Sequence, residues 1–445
     1  MADRGLTGIL LVGGASSRFG KPKALARLGD ETLAERAWRL LTGTCDETIA
    51  VGKRADALPL PFPVLDDGFA VRAPIAGVVA GLRAARSNVA VVLPVDVPLL
   101  SATSIAVLAG ACADVAVPQT GPLPGAYRKS ALGALERRLA AGDLALRDAL
   151  AELETRVVDL DPWELANVNT PAELEAAARR ERALAAAVEA AAAHGLHGIE
   201  PRILADWNDT IVWLRPEPLV ARVATSPFRV DPEAELAREV SLARAVAERG
   251  GPALPPATDP PTGPHRARGL ALTFWPYADV TGGEPSPAEV AASLRELHEA
   301  LQATPLPPLS ATLDRAEALE PPSLLDDDRR FLAAALRELR RRLDAFDLPE
   351  RALHGGPHGA NLLRTRDGLC WIDLDAACRG PLEWDLAYLP AEAATLFPEL
   401  DPEALEVARL LAGACVATWC WAQLGRAPEV DEAAHLHLRR LREEL

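Results

Sequence analysis

The feature that most constrains this chain is an apolar run that breaks into glycines near its start. Residues 8–12 (Gly-Ile-Leu-Leu-Val) are typical of a buried strand, and Gly13 and Gly14 follow at once. Arg18 and Lys23 come shortly afterwards, before an apolar helical pattern resumes. Glycines let backbone N–H groups approach an anion closely, and the two basic side chains would supply compensating charge. We therefore predict a phosphate-binding loop, whose spacing is neither that of the P-loop nor that of the Rossmann fingerprint.

Strands alternate with helical stretches from residue 8 to about residue 179, which predicts an α/β, Rossmann-like domain with a mostly parallel sheet. The segment 121–127 is typical of a loop. Ligands gather at the carboxyl ends of such strands, where Gly13 and Asp96 both lie. The predicted strands are residues 9–12, 48–51, 89–93 and 114–118, and the predicted helices are residues 33–41, 77–85, 104–111 and 132–139.

Residues 171–193 are rich in Ala and Glu and predict one or two helices that end at Gly195. After this stretch the regular alternation of strands and helices ends. Strands are predicted at residues 210–214, 219–223 and 271–274, and helices dominate from residue 287 onwards. A small sheet followed by helices is an α+β arrangement. We predict two domains, residues 1–180 and residues 181–445.

Composition limits which binding partners and which cellular compartment we expect for this chain. A net charge of −16 over 445 residues argues against a nucleic-acid partner, although a local basic loop with Mg²⁺ can still bind a nucleotide. The six scattered cysteines form no Cys-x-x-Cys pair, which is typical of reduced thiols in the cytoplasm. The best membrane candidate, residues 405–424, carries Arg409 centrally, so we interpret it as a core helix and expect no membrane partner.

Polar residues at predicted strand ends and turns of the first half could hold a metal and phosphates. Asp96 ends a buried strand, where Mg²⁺ bridging phosphates would be held, because that ion prefers one or two carboxylates with phosphate oxygens and water. Asp66 and Asp67 precede a second tight turn into a helix. The segment 167–171 (Asn-Val-Asn-Thr-Pro) offers amide ligands, but capping of a helix by Thr170 explains it equally well.

These segments, with Leu-x-Gly-Gly-x-Ser-x-Arg-x-Gly-x-x-Lys at residues 11–23, resemble the molybdenum cofactor guanylyltransferases over residues 7–178. Many members of that family have Asp before the loop lysine, where this chain has Pro22. The resemblance implies a nucleotidyltransferase that moves GMP from GTP to molybdopterin with Mg²⁺ and releases pyrophosphate. It leaves open a cytidylyltransferase for the same acceptor and a transferase for another phosphorylated acceptor, and Gln119 and the Asp66 region are candidates for choosing the base.

The resemblance also implies roles for individual residues. The nucleotide would be bound by the backbone of the loop, by the Lys23 ammonium and by Asp66, for which Asp67 is nearly as good an alignment. Asp96 would hold the metal. The implied catalytic residues are Arg18, Lys23 and Asp96, and the implied nucleotide-binding residues are Leu11, Val12, Gly13, Gly14, Lys23, Asp66 and Asp96.

The second half carries a loop with His354 and Asn361, followed by Asp373 at the end of an apolar stretch. Kinase-like folds place metal ligands on two such adjacent segments. Residues 190–445 are similar to the aminoglycoside and choline phosphotransferases, which implies a protein-kinase-like fold and a site for ATP or another nucleotide. Arg222 stands at the usual place of the nucleotide-contacting lysine, and Glu239 is its expected ion-pair partner. The candidate site is therefore Arg222, Glu239, His354, Asn361 and Asp373.

One departure from that family concerns catalysis directly. The family has an Asp that accepts the substrate proton where this chain has Gly356. His358 or Asp375 could replace it only with a different loop geometry. A small-molecule kinase therefore competes with a fold kept for binding, regulation or stability of its fused partner. For the whole chain, the alternatives to a nucleotidyltransferase are such a kinase and a non-catalytic nucleotide-binding fusion.

Overall fold

The computed structural model of the protein describes residues 5–13, 19–20, 22–56 and 58–445. The chain forms two compact units, Met1–Glu181 and Arg182–Leu445.

The described residues of the first unit form a seven-stranded mixed sheet in the order β5-β4-β1-β6-β8-β7-β9, with a separate small hairpin of β2 and β3. The strands are β1 (Leu6–Leu11), β2 (Arg27–Leu28), β3 (Glu31–Thr32), β4 (Glu47–Gly52), β5 (Val64–Asp66), β6 (Val89–Pro94), β7 (Val115–Pro118), β8 (Gly125–Arg128) and β9 (Thr155–Val158). The helices are α1 (Leu33–Thr44), α2 (Pro74–Ala84), α3 (Ala102–Ala111), α4 (Leu132–Ala141) and α5 (Leu146–Ala149), and α6 (Pro171–Ala193) continues into the second unit.

The predicted α/β class of the first unit is confirmed. Strands β5, β4, β1 and β6 pair in parallel, so their carboxyl ends lie at one edge of the sheet. Both faces of β1 are covered, with Ile9 and Leu10 completely buried. On one face α2 approaches so closely that a Cβ built on Gly81 would lie 2.6 Å from Cγ2 of Ile9. The glycine is therefore needed for packing between this helix and the sheet.

The segment 121–127 was predicted to be a loop, and that prediction is wrong for its second half. Strand β8 begins at Gly125 and pairs antiparallel with both β6 and β7. Its Tyr127 is completely buried, and the phenol donates a hydrogen bond to the Pro122 carbonyl at 2.7 Å. Strand β8 follows turn residues and has only four residues. Four residues are too few for the alternation of apolar and polar side chains that marks a strand to be recognised.

Helix α6 is one continuous helix from Pro171 to Ala193, and Gly195 follows it with a φ of +81°. The boundary between the two compact units falls inside this helix. Ala177 belongs to the core of the first unit, whereas Ala183 and Ala187 belong to a core of the second unit.

The second unit begins with a five-stranded antiparallel sheet in the order β10-β11-β12-β14-β13, which confirms its kinase-like α+β class. The pairs β15–β18 and β16–β17 form two small ribbons among the helices. The strands are β10 (Glu200–Asp206), β11 (Thr210–Arg215), β12 (Leu219–Val223), β13 (His265–Ala267), β14 (Leu270–Pro276), β15 (Glu350–Leu353), β16 (Leu362–Thr365), β17 (Gly368–Trp371) and β18 (Cys378–Pro381). The helices are α7 (Pro232–Glu248), α8 (Pro287–Leu301), α9 (Leu309–Ala318), α10 (Asp326–Asp344), α11 (Leu382–Leu386), α12 (Ala391–Ala394), α13 (Pro402–Ala422) and α14 (Pro428–Glu444).

Helix α13 contains most of residues 405–424, the segment that the sequence predicts to be a core helix. Within the described part of the chain it is the one helix long and apolar enough to cross a membrane, and 56% of its most apolar window is buried in the unit. It packs against α10 and α14, with Leu411 and Cys415 completely buried. The cytoplasmic location stays a prediction.

Candidate functional site

The candidate site of the first unit lies at the carboxyl edge of the parallel strands. A cavity of about 1040 Å³ opens there, and the ends of β1, β4 and β6 all contribute to its wall. Leu11, Val12 and Gly13 line it, and the Val12 N–H donates to the Val51 carbonyl at 3.0 Å, which fixes the chain where it leaves the sheet. Gly14 and Arg18, predicted as nucleotide-binding and catalytic residues, lie outside the described residues.

Two of the predicted charged residues meet at the edge of this cavity. The Lys23 ammonium lies 3.0 Å from Oδ2 of Asp96 and donates to Oδ1 of Asn169 at 2.8 Å. The side chains of Lys23 and Asp96 are 16% and 25% exposed, so both reach the cavity while remaining held by the protein. The predicted amide-bearing segment 167–171 thus contributes directly to the site.

The start of α6 holds Asn169 in place. The Val168 N–H donates to the Asp96 carbonyl at 2.8 Å, which joins this segment to the end of β6. The Glu173 carboxylate accepts from the N–H groups of Asn169 and Thr170, at 2.5 and 2.8 Å, and its own N–H donates to the Thr170 hydroxyl at 3.2 Å. This is a capping box. The helix cap that the sequence left open is therefore present, and the role of the amides as ligands stays a prediction.

Asp66 and Asp67 have different surroundings. Asp66 is exposed and lines a smaller side cavity of about 260 Å³, and its Oδ1 accepts from the Arg54 N–H at 3.3 Å. Asp67 lines the large cavity, with its side chain 8% exposed and 2.7 Å from the Lys53 ammonium. The geometry favours Asp67 over Asp66 as the carboxylate that faces a ligand in the large cavity.

Lys53 lines the same cavity and was not predicted from the sequence. It follows β4 as Val51-Gly52-Lys53, which repeats the end of β1, where a valine and a glycine also close an apolar strand. That repetition is the signal that could have identified it. Gln119, by contrast, is committed to the fold, because its amide donates to the Leu160 carbonyl at 2.7 Å and accepts from the Leu160 N–H at 3.1 Å.

In the second unit, His354 is completely buried and holds the loop that carries the predicted site. Its backbone N–H and that of Gly355 each donate to the Asp385 carboxylate at 2.8 Å, and its Nε2 lies 3.0 Å from the Ile372 carbonyl. Burial lowers the pKa of His354, so the imidazole is neutral near pH 7. Asp385 also contacts His298 at 2.7 Å. His354 thus acts as a structural residue of this loop.

Asn361 and Gly356 lie next to each other in the same loop. The Asn361 amide donates to the Gly356 carbonyl at 3.0 Å and lies 3.2 Å from Nε2 of His358. A Cβ built on Gly356 would meet nothing within 4 Å, so the position could hold a side chain and simply lacks one. The stand-in role considered for Asp375 is wrong, because that carboxylate is paired with two arginines at 3.1 and 3.0 Å.

Arg222 is surrounded by carboxylates on all sides. Its guanidinium contacts Glu239, as expected, and also lies 2.7 Å from Oδ1 of Asp373 and 2.8 Å from Oδ2 of Asp209. Burial raises the pKa of Glu239 to about 8, although the Arg222 charge opposes this. For Asp209 the outcome is the reverse, because two guanidinium groups outweigh burial and hold its pKa below the usual value. Asp209 and the second arginine, Arg229, were not predicted, since neither lies in a local motif.

Comparisons with known proteins match the two parts of the chain to two different families. Residues 8–157 match the family model of the MobA-like NTP transferase domain, and residues 200–425 match that of the phosphotransferase enzyme family. Proteins named "Probable molybdenum cofactor guanylyltransferase" from Chloroflexus aggregans and Opitutus terrae are each 35% identical over 193 residues. The alignments cover 38% and 39% of this chain and 92% and 96% of those proteins.

Among solved structures, a choline/ethanolamine kinase family protein from Mesorhizobium loti has 20% identity and a TM-score of 0.41, covering 59% of this chain and 92% of that one. The family assignment rests on the sequence matches and on the two folds described above. The chain belongs to the MobA-like NTP transferase family through its first unit and to the phosphotransferase enzyme family through its second.

Proposed function

We propose that the first unit is a Mg²⁺-dependent nucleotidyltransferase that moves GMP from GTP to molybdopterin and releases pyrophosphate. The observation that carries this proposal is the meeting of Lys23, Asp96 and Asn169 at the edge of a cavity large enough for a nucleotide. The relatives named as molybdenum cofactor guanylyltransferases support the choice of nucleotide and acceptor.

The residues at the cavity edge fit Mg²⁺. Asp96 offers a partly exposed carboxylate at a strand end, and the Lys23 ammonium that it contacts also contacts the amide oxygen of Asn169. Mg²⁺ is usually held in this way, by one or two carboxylates with the remaining positions taken by phosphate oxygens and water. When bound, the ion would neutralise charge on the phosphates.

The residues of the chain contribute position and charge rather than covalent chemistry. A terminal phosphate oxygen of molybdopterin forms a bond to the α-phosphorus of GTP, and the bond to the bridging oxygen breaks, with its electron pair leaving on pyrophosphate. The attacking oxygen is already anionic, so no general base is required. The backbone at Val12 and Gly13 would cradle the phosphates, and the Lys23 ammonium would stabilise the charge that develops on them.

The experiment is to incubate the full chain with Mg²⁺, molybdopterin and one of GTP, CTP or ATP, and to follow pyrophosphate release. We expect release with GTP. Pyrophosphate release with CTP alone would contradict the guanylyltransferase proposal and indicate a cytidylyltransferase. Release with none of the three would refute nucleotidyl transfer to this acceptor.

A further inference from the structure

The large cavity of the first unit has a second pair of opposite charges on the other side of β1. Asp96 follows β6, which flanks β1 on one side, whereas Lys53 and Asp67 follow β4 and β5 on the other. Neighbouring strands lie about 5 Å apart, so the ends of β6 and β4 are separated by roughly 10 Å. All three residues line the cavity, together with Lys23. A ligand as long as a nucleotide can therefore contact both pairs at once.

The pair formed by Lys53 and Asp67 is held firmly by the protein. The Lys53 ammonium lies 2.7 Å from Oδ1 of Asp67 and also donates to the Phe69 carbonyl. The same Oδ1 accepts from the Phe69 N–H at 3.0 Å, and the Asp67 N–H donates to the Gly52 carbonyl at 3.0 Å. The two side chains are only 13% and 8% exposed. Both charged groups are thus oriented before a ligand arrives.

Each member of the pair keeps hydrogen-bonding capacity for a ligand. An ammonium has three N–H donors, and the contacts of Lys53 with Asp67 and Phe69 use two of them. Within the described part of the chain, the hydrogen bonds to the Asp67 carboxylate go to Oδ1, which leaves Oδ2 facing the cavity as an acceptor. The pair therefore presents one donor and one acceptor side by side.

The charge balance around this pair fits the edge of an uncharged heterocycle better than a phosphate. The charges of Lys53 and Asp67 cancel, and Arg72 in the wall of the same cavity is paired with Asp56 at 2.8 Å. A polyphosphate requires a surplus of positive charge, which Mg²⁺ held by Asp96 would supply on the other side of β1. We therefore expect the phosphates near Asp96 and the base of the nucleotide near Lys53.

We propose that Lys53 is a specificity-determining residue, which selects guanine by donating to its O6 while Oδ2 of Asp67 accepts from N1–H and the 2-amino group. Guanine carries one acceptor next to two donors on this edge, and lysine is a common partner of O6. Adenine reverses both positions, because it has an amino group in place of O6 and no proton on N1. Its amino group would face the ammonium and its N1 would face the carboxylate, so both contacts would be repulsive.

This inference rests on the proposed function and names the residues that would choose its nucleotide. The test is equilibrium dialysis of the full chain with Mg²⁺ and one of GTP, ITP, ATP or CTP. Binding needs no acceptor, so it is measured separately from nucleotidyl transfer. We expect GTP to bind roughly tenfold more tightly than ITP, which lacks the 2-amino group, and about a hundredfold or more tightly than ATP, because each lost contact involves a charged group.

Two variants separate the two contacts. Lys53→Met keeps a similar length without the charge, and it should lose most of the preference for GTP over 2,6-diaminopurine riboside triphosphate, which has an amino group in place of O6. Asp67→Asn should instead reduce the preference for GTP over ITP. The matched control is Lys129→Met, which removes the same charge after β8, where Arg128 pairs with the first residue of β6 at the opposite edge of the sheet. It should keep the wild-type preferences.

The outcomes distinguish this inference from the proposed function. An equal loss of affinity for every nucleotide in Lys53→Met would indicate a structural role and overturn the inference. Wild-type binding of ITP, ATP or CTP as tight as that of GTP would overturn it as well, and this measurement needs no variant to fold. A wild type that prefers GTP as expected but releases no pyrophosphate would refute the proposed function and still support the selection of guanine.

Discussion

Lys23 joins segments that lie 73 and 146 residues away along the chain, through Asp96 and Asn169. Such a contact fixes the position of a flexible side chain before a ligand arrives. A lysine that is already oriented loses less conformational entropy when it meets a phosphate. We therefore expect Asn169 to position Lys23 for a phosphate.

Replacing Asn169 by Ala should weaken nucleotidyl transfer without unfolding the protein. A hydrogen bond to a charged group contributes about 1.5–3 kcal/mol, so we expect a roughly 10- to 100-fold loss of kcat/KM. The measurement is pyrophosphate release, with Asn88→Ala, an exposed asparagine of the same unit, as the control. Equal activity of the two variants would contradict the positioning role.

The raised pKa of Glu239 predicts that the second unit loses stability as the solution becomes alkaline. The folded pKa of about 8 lies above the usual 4.5, so the folded unit keeps a proton that the unfolded chain has released. This contribution is complete below pH 4.5 and disappears as the pH rises through 8. Its slope cannot exceed about 1.4 kcal/mol per pH unit for one proton.

Thermal unfolding between pH 7 and pH 8 checks this prediction, because His354 and His358 have lowered pKa values and are already neutral there. The midpoint should fall over this window in the wild type and fall less in Glu239→Gln. Asp375 also has a raised pKa and acts with the same sign, so the variant should retain part of the slope. If the unfolding midpoint of Glu239→Gln fell with pH as steeply as that of the wild type, a group other than Glu239 would cause the loss of stability.

Residues with local motifs could be predicted, and residues placed only by tertiary structure could not. Lys23 and Asp96 follow recognisable strand ends, so both could be selected from the sequence, and the structure places both in the cavity wall. Asp209 is an ordinary turn residue until β10, β11 and β12 bring it to two arginines. The choice between Asp66 and Asp67 needed the structure, because adjacent residues at the end of a strand point in opposite directions.

At the scale of elements, the contact between α2 and β1 depends on small residues. The change Gly81→Ala would place a methyl group 2.6 Å from Ile9 Cγ2 in a filled core. Overpacking costs about 1–3 kcal/mol, which a gain in helix propensity of up to about 1 kcal/mol offsets only in part. We expect a net loss of about 1–2 kcal/mol, measured by denaturant unfolding.

The matched control for that change is Gly110→Ala in α3, where a Cβ meets nothing within 4 Å. It should leave stability unchanged or raise it by up to about 1 kcal/mol. If both variants lost the same stability, the effect would come from the helical backbone and not from contact with Ile9.

Strands with a continuous apolar run, such as β7, were predictable from the sequence, whereas β8, which has no such run, was not. Strand β6 is a continuous apolar run that contains the predicted strand 89–93, and β1 (Leu6–Leu11) overlaps the predicted strand 9–12. The four-residue β8 follows Pro-Gly turn residues and was missed, although it lies between β6 and β7 in the sheet. It pairs with β7, the preceding strand, and with the earlier β6, but its residues Gly-Ala-Tyr-Arg show no apolar run that marks a strand.

At the scale of the whole molecule, the chain contains separate hydrophobic cores on either side of residue 181. We expect two calorimetric unfolding transitions for this reason. Mg²⁺ with GTP should raise the midpoint of one of them only. At one hundred times Kd the stabilisation is about 2.7 kcal/mol, which corresponds to roughly 5–10 °C for a unit of this size.

The control for this experiment is Asp96→Ala, in which the GTP-dependent shift should disappear while both transitions remain. A single transition, or an equal shift of both transitions, would contradict the assignment of GTP binding to the first unit alone.

Helix α6 sets a limit on how the two units of this chain can be separated. The family match of the first unit ends at residue 157, but Lys23 in the cavity wall donates a hydrogen bond to Asn169, which is held by Glu173 in the first turn of α6. A chain cut at residue 157 would therefore lose a part of the site that it still needs. A first unit that kept the whole of α6, to Ala193, would expose Ala183 and Ala187, which the core of the second unit buries. Any method that separates the two units, by excision, recombination or limited proteolysis, must therefore cut a helix whose residues belong to both units.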